Sequence, residues 1–217
     1  MIRNSKAINS LFALLFSSAS LVVGMLYLSQ PVVAQVAPQA QTLFSNETSI
    51  GTENLGFFVA PAFGITAMDG SAASLLQLRG GLNIKDKFSF GAYFNTSINE
   101  INPESETVQN VYMDYWSVGG FAEYTLLAKR AFHVTFPFYV GFGEVQMDNE
   151  QGEAGLGEAN FLQIEPAALL EVNLQQNVRL NLGAGYRLVG QMAYRNFDQS
   201  AISGLTAYLG LKAGLFR

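Results

Sequence analysis

Apolar and polar positions alternate along most of the chain after residue 54. In residues 178–190 the apolar row is Leu180, Leu182, Ala184, Tyr186 and Leu188, and the row between holds Arg179, Asn181, Gly183, Gly185 and Arg187. Successive side chains of an extended chain point to opposite sides, so this period of two predicts a strand and excludes a helix. The alternation does not say which face meets water, because a soluble barrel with an apolar interior and a membrane barrel with a polar interior share it.

Eight segments carry this pattern, and their connections alternate in length. The segments are 55–67, 73–84, 88–98, 110–127, 131–146, 161–174, 178–191 and 202–216. Connections of three residues (85–87, 128–130 and 175–177) alternate with longer ones (68–72, 99–109, 147–160 and 192–201). Short turns at one end and mostly longer loops at the other are typical of an outer-membrane barrel with periplasmic turns and extracellular loops. We therefore predict an all-β protein, an eight-stranded antiparallel up-and-down transmembrane β-barrel, with no helix-period segment and no second domain left over.

The composition of the two rows assigns them to lipid and lumen. One row is dominated by phenylalanine, leucine and valine, as in Phe132, Val134, Phe136, Phe138, Val140 and Phe142. The other is rich in Gly, Asn, Gln and Tyr with single charges of both signs, as in Gln77, Arg79, Asn83, Gln163, Glu165, Glu171 and Asn173. We place the first row against lipid and the second inside. The interior of an eight-stranded barrel is just large enough for side chains to fill, so we expect a plugged lumen.

Charged side chains of the inward row form the candidate lumen charge network. Its predicted members are Arg79, Glu123, His133, Glu165, Glu171, Arg179, Arg187 and Lys212. An unpaired charge in a dry interior costs several kcal/mol, so each should have a partner. If Leu174 lies opposite Val178, Glu165 faces Arg187 and Asn173 faces Arg179. The same reasoning at the next hairpin pairs Glu123 with Thr135 and Thr125 with His133, which leaves Glu123 diagonal to His133.

Aromatic residues of the outward row suggest where the membrane ends. Tyr112, Trp116 and Tyr124 share the outward parity of the fourth segment and are predicted interfacial aromatics. Asp114 has the same parity and is compatible with lipid only near the interface. A further difficulty is that Pro61, Pro137 and Pro166 fall within strand segments. Each removes a donor from the ladder, and we expect bulges to absorb them.

The amino-terminal residues and the overall composition indicate export. Residues 1–34 contain Arg3 and Lys6, then an apolar run and the small-residue cleavage pattern of a signal peptide, although an uncleaved anchor has similar features. Residues 35–54 are a polar leader and residues 55–217 the barrel. Removal of residues 1–34 leaves ten basic and 17 acidic residues, a net charge of −7 that argues against binding of nucleic acid or of anionic lipid through a basic patch. The chain has no cysteine and only 13% charged residues, against about 25% for ordinary soluble domains.

Several stretches resemble the small bacterial outer-membrane β-barrels of the OmpA/OmpX type, and are closest to "porin family" barrels of Bacteroidetes-like bacteria. The stretches are GGLNIKDKFSFGAY, FHVTFPFYVGFG, IEPAALLEVNL, LNLGAGYRLVG and the final GLTAYLGLKAGLF, and the resemblance covers residues 55–217. It implies residence in the cell outer membrane among outer-membrane lipid, and insertion by the barrel-assembly machinery, which reads a last strand that usually ends in an aromatic residue. Here Phe216 is followed by Arg217.

These observations predict a structural or surface-interaction barrel without a catalytic site or cofactor; the extracellular partner stays unknown. The alternatives are a narrow porin, a soluble lipocalin-like carrier with inverted faces, and a lipid-modifying enzyme. The enzyme would use His133, the one histidine, with Glu123 orienting it and Thr135 in the position of a hydroxyl nucleophile. We expect instead that His133 forms a lumen hydrogen bond. No metal site is expected either, because the acidic residues Asp148, Glu150, Glu153 and Glu158 lack calcium-loop spacing.

Overall fold

The computed structural model describes residues 54–108, 110–149, 157–194 and 197–216, apart from the side chains of Asn149 and of residues 193, 194 and 197. The predicted signal peptide and leader up to residue 53, together with Glu150 and Glu153, lie outside the described residues. The strands are β1 (Leu55–Met68), β2 (Ser71–Ile84), β3 (Phe88–Ser97), β4 (Val111–Leu126), β5 (Phe132–Asn149), β6 (Glu158–Gln175), β7 (Val178–Val189), β8 (Ala193–Tyr194), β9 (Phe197–Asp198) and β10 (Gly204–Leu215).

Eight of these strands form a closed antiparallel barrel. Its order is β1-β10-β7-β6-β5-β4-β3-β2, so neighbours in sequence are neighbours in the sheet and β10 closes against β1. The predicted up-and-down eight-stranded barrel is therefore confirmed. Within the described residues, no helix is both long and apolar enough to cross a membrane.

The hairpin between β1 and β2 is tighter than expected. Met68 pairs directly with Ser71, so the connection is the two-residue turn Asp69-Gly70 and not residues 68–72. Both turn residues have positive φ, 45° and 78°. A two-residue turn with positive φ at both positions matches the right-handed twist of paired strands. The Asp-Gly sequence adopts this turn readily because glycine has no Cβ to clash. The Asp69-Gly70 turn lies at the end of the barrel that was expected to carry four long connections, so three of those connections are long. We call this end of the barrel the loop end and the opposite end the turn end.

The hairpin between β4 and β5 corrects a predicted register. Its connection is residues 127–131, and Leu127 takes a positive φ of 61°. The longer turn shifts the pairing by two residues, so Thr125 faces Thr135 and Glu123 faces Pro137. The predicted pairs Glu123 with Thr135 and Thr125 with His133 are wrong. Because the shift is even, every side chain keeps its predicted face.

The hairpin between β6 and β7 has the predicted register over most of its length. Asn173 faces Arg179 as expected, and Ile164 faces Leu188. The turn itself differs, because Gln175 and not Leu174 faces Val178, and a bulge between Asn173 and Gln175 absorbs the extra residue.

The three strand prolines interrupt pairing without a bulge. Pro61 pairs with Leu78 of β2, and on its other side the β1–β10 register is continuous from Val59↔Ala213 to Ala62↔Gly210 across two unpaired positions. Pro137 is unpaired in the β5–β6 ladder and Pro166 is unpaired in the β6–β7 ladder, and each is paired with the strand on its other side. A missing N–H is thus tolerated as a local gap in one ladder, and the expected bulges do not occur.

The connection before β10 contains structure that the alternation did not predict. It holds the two-stranded hairpin β8–β9 and one helical turn, α1 (Gln199–Ile202). A single turn of four residues is too short to show a helical period, so the predicted all-β fold stands although the alternation did not reveal this turn. The cause is local: Asp198 caps the turn, since its carboxylate accepts hydrogen bonds from the Ser200 N–H at 2.8 Å and hydroxyl at 2.6 Å.

The two faces of the barrel follow the predicted assignment. The phenylalanine and leucine rows point outward, with Phe132, Phe142 and Leu205 each more than 60% exposed. The polar row points inward, and side chains as large as Arg79, Arg187 and Lys212 are at most 1% exposed. The centre of the molecule is thus a packed polar interior surrounded by an apolar surface.

Candidate functional site

The lumen near the turn end holds a cluster of buried charges, which we call the charged layer: Arg79, Glu123, His133, Glu171, Arg179 and Lys212. Its centre is Lys212, whose Nζ lies 2.6 Å from Glu123 Oε1 and 2.7 Å from Glu171 Oε1. Arg79 Nη1 donates to Glu123 Oε2 at 2.8 Å. The four residues lie on β2, β4, β6 and β10, and no two of these strands are neighbours in the sheet. The ion pairs therefore cross the lumen and connect the four strands.

His133 is held between two oxygen atoms. Its Nε2 lies 3.0 Å from Glu171 Oε2, and its Nδ1 lies 3.3 Å from the Arg130 carbonyl oxygen. The residue beside His133 is therefore Glu171 and not Glu123, which the sequence suggested. The reason is that the pairing of β5 with β6 places His133 directly opposite Glu171. Since both ring nitrogens face oxygens of a carboxylate and a carbonyl, neither is placed to take a proton from a hydroxyl. The geometry is that of a buried structural histidine.

Arg179 closes the charged layer toward the turn end. Its Nη2 donates to Asp86 Oδ1 at 3.3 Å, and its guanidinium carbon lies 3.6 Å from the centroid of the Phe216 ring. Asp86 belongs to the tight turn between β2 and β3, where strand parity makes no prediction. Phe216 points inward, so the terminal aromatic residue covers a lumen cation and does not lie on the lipid face.

A layer of tyrosines separates the charged layer from the loop end; we call Tyr93, Tyr139 and Tyr208 with Gln163 and Glu165 the tyrosine layer. Tyr208 donates its hydroxyl to Glu165 Oε1 at 2.5 Å, and Gln163 Nε2 donates to the Tyr93 hydroxyl at 3.3 Å. The Tyr93 and Tyr139 rings meet edge to face at 5.1 Å. This layer is linked to the charged layer, because Arg79 Nη1 also donates to the Tyr139 hydroxyl at 3.1 Å.

Inward-facing glycines provide the room for these rings. A Cβ on Gly141 would lie 2.6 Å from the Tyr93 hydroxyl and closer still to the Val118 carbonyl oxygen. Neither contact is possible without displacement, and the carbonyl belongs to the barrel wall. The glycine-rich character of the inward row is therefore a packing requirement, in which small residues on one strand accept large ones from another.

Glu165 and Arg187 lie on the same register level but do not form the predicted contact. Among the described side chains they make no ion pair within 4.0 Å of each other. Arg187 instead extends toward the loop end, where Nε donates to the Ile202 carbonyl at 2.8 Å and Nη2 to the Thr66 hydroxyl at 3.3 Å. Glu165 turns toward Tyr208. A long side chain that can reach a backbone carbonyl need not pair with the residue directly across the strand.

The loop end of the lumen is filled by apolar side chains, which we call the apolar layer. It consists of Met68, Ala73, Leu75, Ile101, Val111, Met113, Tyr115, Val145, Met147, Phe161, Val189, Met192 and Ile202. Three members come from connections and not from barrel strands: Ile101 from residues 98–110, and Met192 and Ile202 from residues 190–203. Ile101 and Ile202 are completely buried. Two of the three long connections thus place apolar side chains in the mouth of the barrel.

The Asp69-Gly70 turn anchors both covering connections. The Asp69 N–H donates to the Ala201 carbonyl at 2.7 Å, and the Ser105 hydroxyl donates to the Asp69 carboxylate at 2.6 Å. In the connection that contains α1, hydrogen bonds from the Ser200 hydroxyl and N–H hold the pKa of the Asp198 carboxyl below its ordinary value. The cover is therefore fixed by specific hydrogen bonds as well as by apolar contact.

The predicted interfacial aromatics and Asp114 all lie on the outer face of β4. Trp116 Nε1 donates to Glu144 Oε1 of β5 at 3.1 Å, near the loop end, and Tyr112 lies further along β4 toward that rim. Tyr124 lies at the opposite end, where its ring packs on Phe88 at 5.2 Å. Asp114 is exposed and faces Gln146 at the loop-end rim. The outer face therefore carries amphipathic rings near both rims.

The described residues contain no group of three or more His, Asp or Glu side chains that could hold a metal ion. Of the four acidic loop residues considered from the sequence, Asp148 and Glu158 are among the described residues and lie on β5 and β6.

Sequence reasoning did not identify three kinds of interior residue. The sequence placed the tyrosines of the tyrosine layer on the inward face, but a period of two does not predict which groups their hydroxyls contact. Asp86 lies in a turn and Ile101 in a connection, so neither belongs to an alternating segment. Ile202 was placed in the predicted segment 202–216, but the structure puts it at the end of α1, before β10 begins at Gly204. An available signal was the single isoleucine, Ile101, among the mostly polar residues 99–107.

Comparison with known proteins places the fold. No family model and no curated protein matches the chain. Among solved structures it is similar to Neisserial surface protein A (TM-score 0.54, 12% identity, covering 74% of this chain and 96% of that one). It is also similar to a major outer membrane protein of Thermus thermophilus (0.49, 11%, 74% and 99%) and to OprG of Pseudomonas aeruginosa (0.48, 10%, 76% and 97%). The chain has the fold of the small eight-stranded outer-membrane β-barrels.

Proposed function

We propose that this chain is an integral outer-membrane protein with a sealed lumen, acting as a structural or surface-interaction barrel through its loop end. The observation that carries the proposal is the reversed arrangement of polarity. The outside of the closed barrel is a band of exposed Phe, Leu, Ile and Val, while four Lys or Arg side chains are buried at its centre. A water-soluble barrel would have the opposite arrangement, since leaving the apolar band in water and the charges in the interior both cost free energy.

The seal follows from three successive layers in the lumen. The charged layer, the tyrosine layer and the apolar layer are each made of buried side chains, and they follow one another from turn end to loop end. An ion would have to displace buried ion pairs and then cross the apolar layer. Both steps are unfavourable in a low-dielectric interior.

Location is tested by cell fractionation with a heat-modifiability gel. A folded membrane barrel should remain with the outer-membrane fraction and migrate differently before and after boiling. Recovery of the folded protein from the periplasm or medium without detergent would instead support the lipocalin-like carrier. The proposal also includes contact with outer-membrane lipid and insertion by the barrel-assembly machinery, so depletion of that machinery should remove the folded form.

The seal is tested by single-channel recording in planar bilayers. We expect no steady conductance. Several buried polar atoms among the described residues, those of the Asn95 and Asn181 amides and the Thr206 hydroxyl, have no protein partner, and they are the feature that favours a narrow porin. Steady openings whose size changes in Glu165→Gln or Arg187→Gln would favour the porin and contradict the seal.

A catalytic role for His133 has its own test. The residue is 1% exposed and lies near the turn end. We expect no altered lipid A in cells that express the protein. A modified lipid A that disappears in His133→Ala but persists in Thr125→Ala would contradict this expectation.

A further inference from the structure

We propose that the turn-end rim of the barrel is a binding surface for anionic phospholipid headgroups. This inference rests on the proposed function, because it requires the barrel to lie in a bilayer with its short turns toward the inner leaflet. The surface, which we call the basic rim, consists of Lys85, Lys87, Lys129 and Arg130 with the aromatic residues Phe88, Tyr124 and Phe132 next to them.

The basic charges of the described chain are divided completely between the lumen and this rim. Of its eight Lys and Arg residues, four are buried in the lumen: Arg79, Arg179, Arg187 and Lys212. The other four are the cations of the basic rim, and all four are exposed. They are therefore free of the lumen network and available to a partner outside the barrel.

The acidic residues have the opposite distribution. Of the thirteen in the described chain, three lie in the lumen and Asp86 pairs with Arg179 at the turn end. The remaining nine belong to the loop end: Asp69, Glu100, Glu104, Glu106, Asp114, Glu144, Asp148, Glu158 and Asp198. None of these nine is buried. Within the described residues the charge is thus strongly polarised along the barrel axis. The acidic excess that argued against a basic patch lies at the loop end, and the exposed cations lie at the turn end.

The four cations are close together because their turns belong to neighbouring hairpins. The turn 85–87 joins β2 to β3, and the turn 127–131 joins β4 to β5, while β3 and β4 pair with each other. A hydrogen bond from the Thr125 N–H to the Lys87 carbonyl, 2.7 Å long, links the first turn to the base of the second hairpin. The third turn, at 176–177, contains Gln and Asn and no charge. The cations therefore occupy one side of the rim.

Aromatic side chains locate the membrane boundary directly beside these cations. Phe132 follows the second turn and is 63% exposed, and Phe88 follows the first and is 56% exposed. Phe88 packs on Tyr124, whose ring is the amphipathic type found at headgroup level. Lipid-facing rings next to lysines place the cations at the depth of phosphate groups. Each Lys or Arg near an anionic bilayer surface strengthens the attraction enough to raise the binding constant about fivefold.

The test uses spin-labelled lipids that report the lipid shell around the inserted barrel. The full chain is reconstituted in phosphatidylcholine, and association of spin-labelled phosphatidylglycerol is compared with that of spin-labelled phosphatidylcholine by electron paramagnetic resonance. We expect the anionic lipid to be enriched at least about twofold at low salt. The enrichment should fall in roughly 0.5 M NaCl, because exposed charges are screened at high ionic strength.

Two variants with opposite charge changes provide the control. The rim variant Lys85→Gln, Lys87→Gln, Lys129→Gln and Arg130→Gln should lose the enrichment. The loop-end variant Glu100→Gln, Glu104→Gln, Asp114→Asn and Glu158→Gln should keep it. Equal association of both lipids with the unaltered chain, or enrichment that survives in the rim variant, would overturn the inference. A chain that inserts into phosphatidylcholine but shows no selectivity refutes the inference alone, whereas failure to insert at all refutes the proposed function.

Discussion

The charged layer and the apolar layer occupy the two ends of one lumen, and they are stabilised in different ways. Around Lys212 and Glu171 the stability depends on pairing, because each buried charge compensates another across the barrel. Around Met113 and Ile202 it depends on volume, because buried apolar side chains pack against one another. The comparison teaches that an inward face with a single period of two can carry two kinds of core, distinguished only by which residues occupy it.

The largest effect should come from removing one partner in the charged layer. Glu171→Ala leaves Lys212, Arg79 and Arg179 with one acceptor fewer in a buried site. Unfolding free energy should fall by about 3–5 kcal/mol. Urea unfolding in lipid vesicles measures it, with the exposed Glu158→Gln as the control that should change stability by less than about 0.5 kcal/mol. Equal effects of the two substitutions would mean that the layer is not a coupled network.

A substitution in the apolar layer should cost somewhat less and should depend on size. Met113→Ala leaves a cavity among completely buried neighbours, and the expected loss is about 2–5 kcal/mol. Met113→Leu preserves the volume and should cost less than about 1.5 kcal/mol. The same unfolding assay distinguishes them. If both variants were equally destabilised, the mouth would not be a packed core.

The tyrosine layer provides an intermediate case. Tyr208→Phe removes the hydroxyl that donates to Glu165 and leaves a buried carboxylate oxygen without that donor. The expected loss is about 1.5–3 kcal/mol, the range for hydrogen bonds to charged groups. Tyr186→Phe on the exposed outer face is the matched control, and it should have little effect. A neutral result for Tyr208→Phe would indicate that Glu165 has another partner.

The smallest effect concerns the cover of the mouth. The Asp198 carboxyl has a lowered pKa because Ser200 donates to it, so its stabilising contribution is present above its ordinary pKa of 3.8 and is lost as the pH falls through the lowered value. Hydrogen exchange at the Ser200 amide should therefore accelerate in acid relative to the intrinsic rate. Asp198→Asn retains a capping side chain without a charge and should abolish this pH dependence. An unchanged pH dependence in that variant would show that Asp198 does not control α1.

The alternation and the lengths of the connections predicted the barrel and its strand number, and the composition of the two rows assigned the faces of its eight strands. These features are robust because parity survives an even shift in register, as the β4–β5 hairpin demonstrates: Glu123 is inward whether it faces Thr135 or Pro137. The sequence pattern could not determine which charged side chains contact one another. Lys212, Glu123 and Glu171 come from strands that are not adjacent, so their contacts depend on how the sheet closes and staggers around the lumen.

The tertiary structure also decided what closes the mouth. Ile101 lies in a connection where no period of two exists, and Ile202, the first residue of the predicted last segment, ends α1 instead of beginning a strand. Both are buried where hydrogen bonds to Asp69 hold their connections over the lumen. Strand faces follow from the local geometry of an extended chain. Contacts across the lumen and between loops follow from the closed shape, because closure brings together residues that are distant in sequence and belong to no shared ladder.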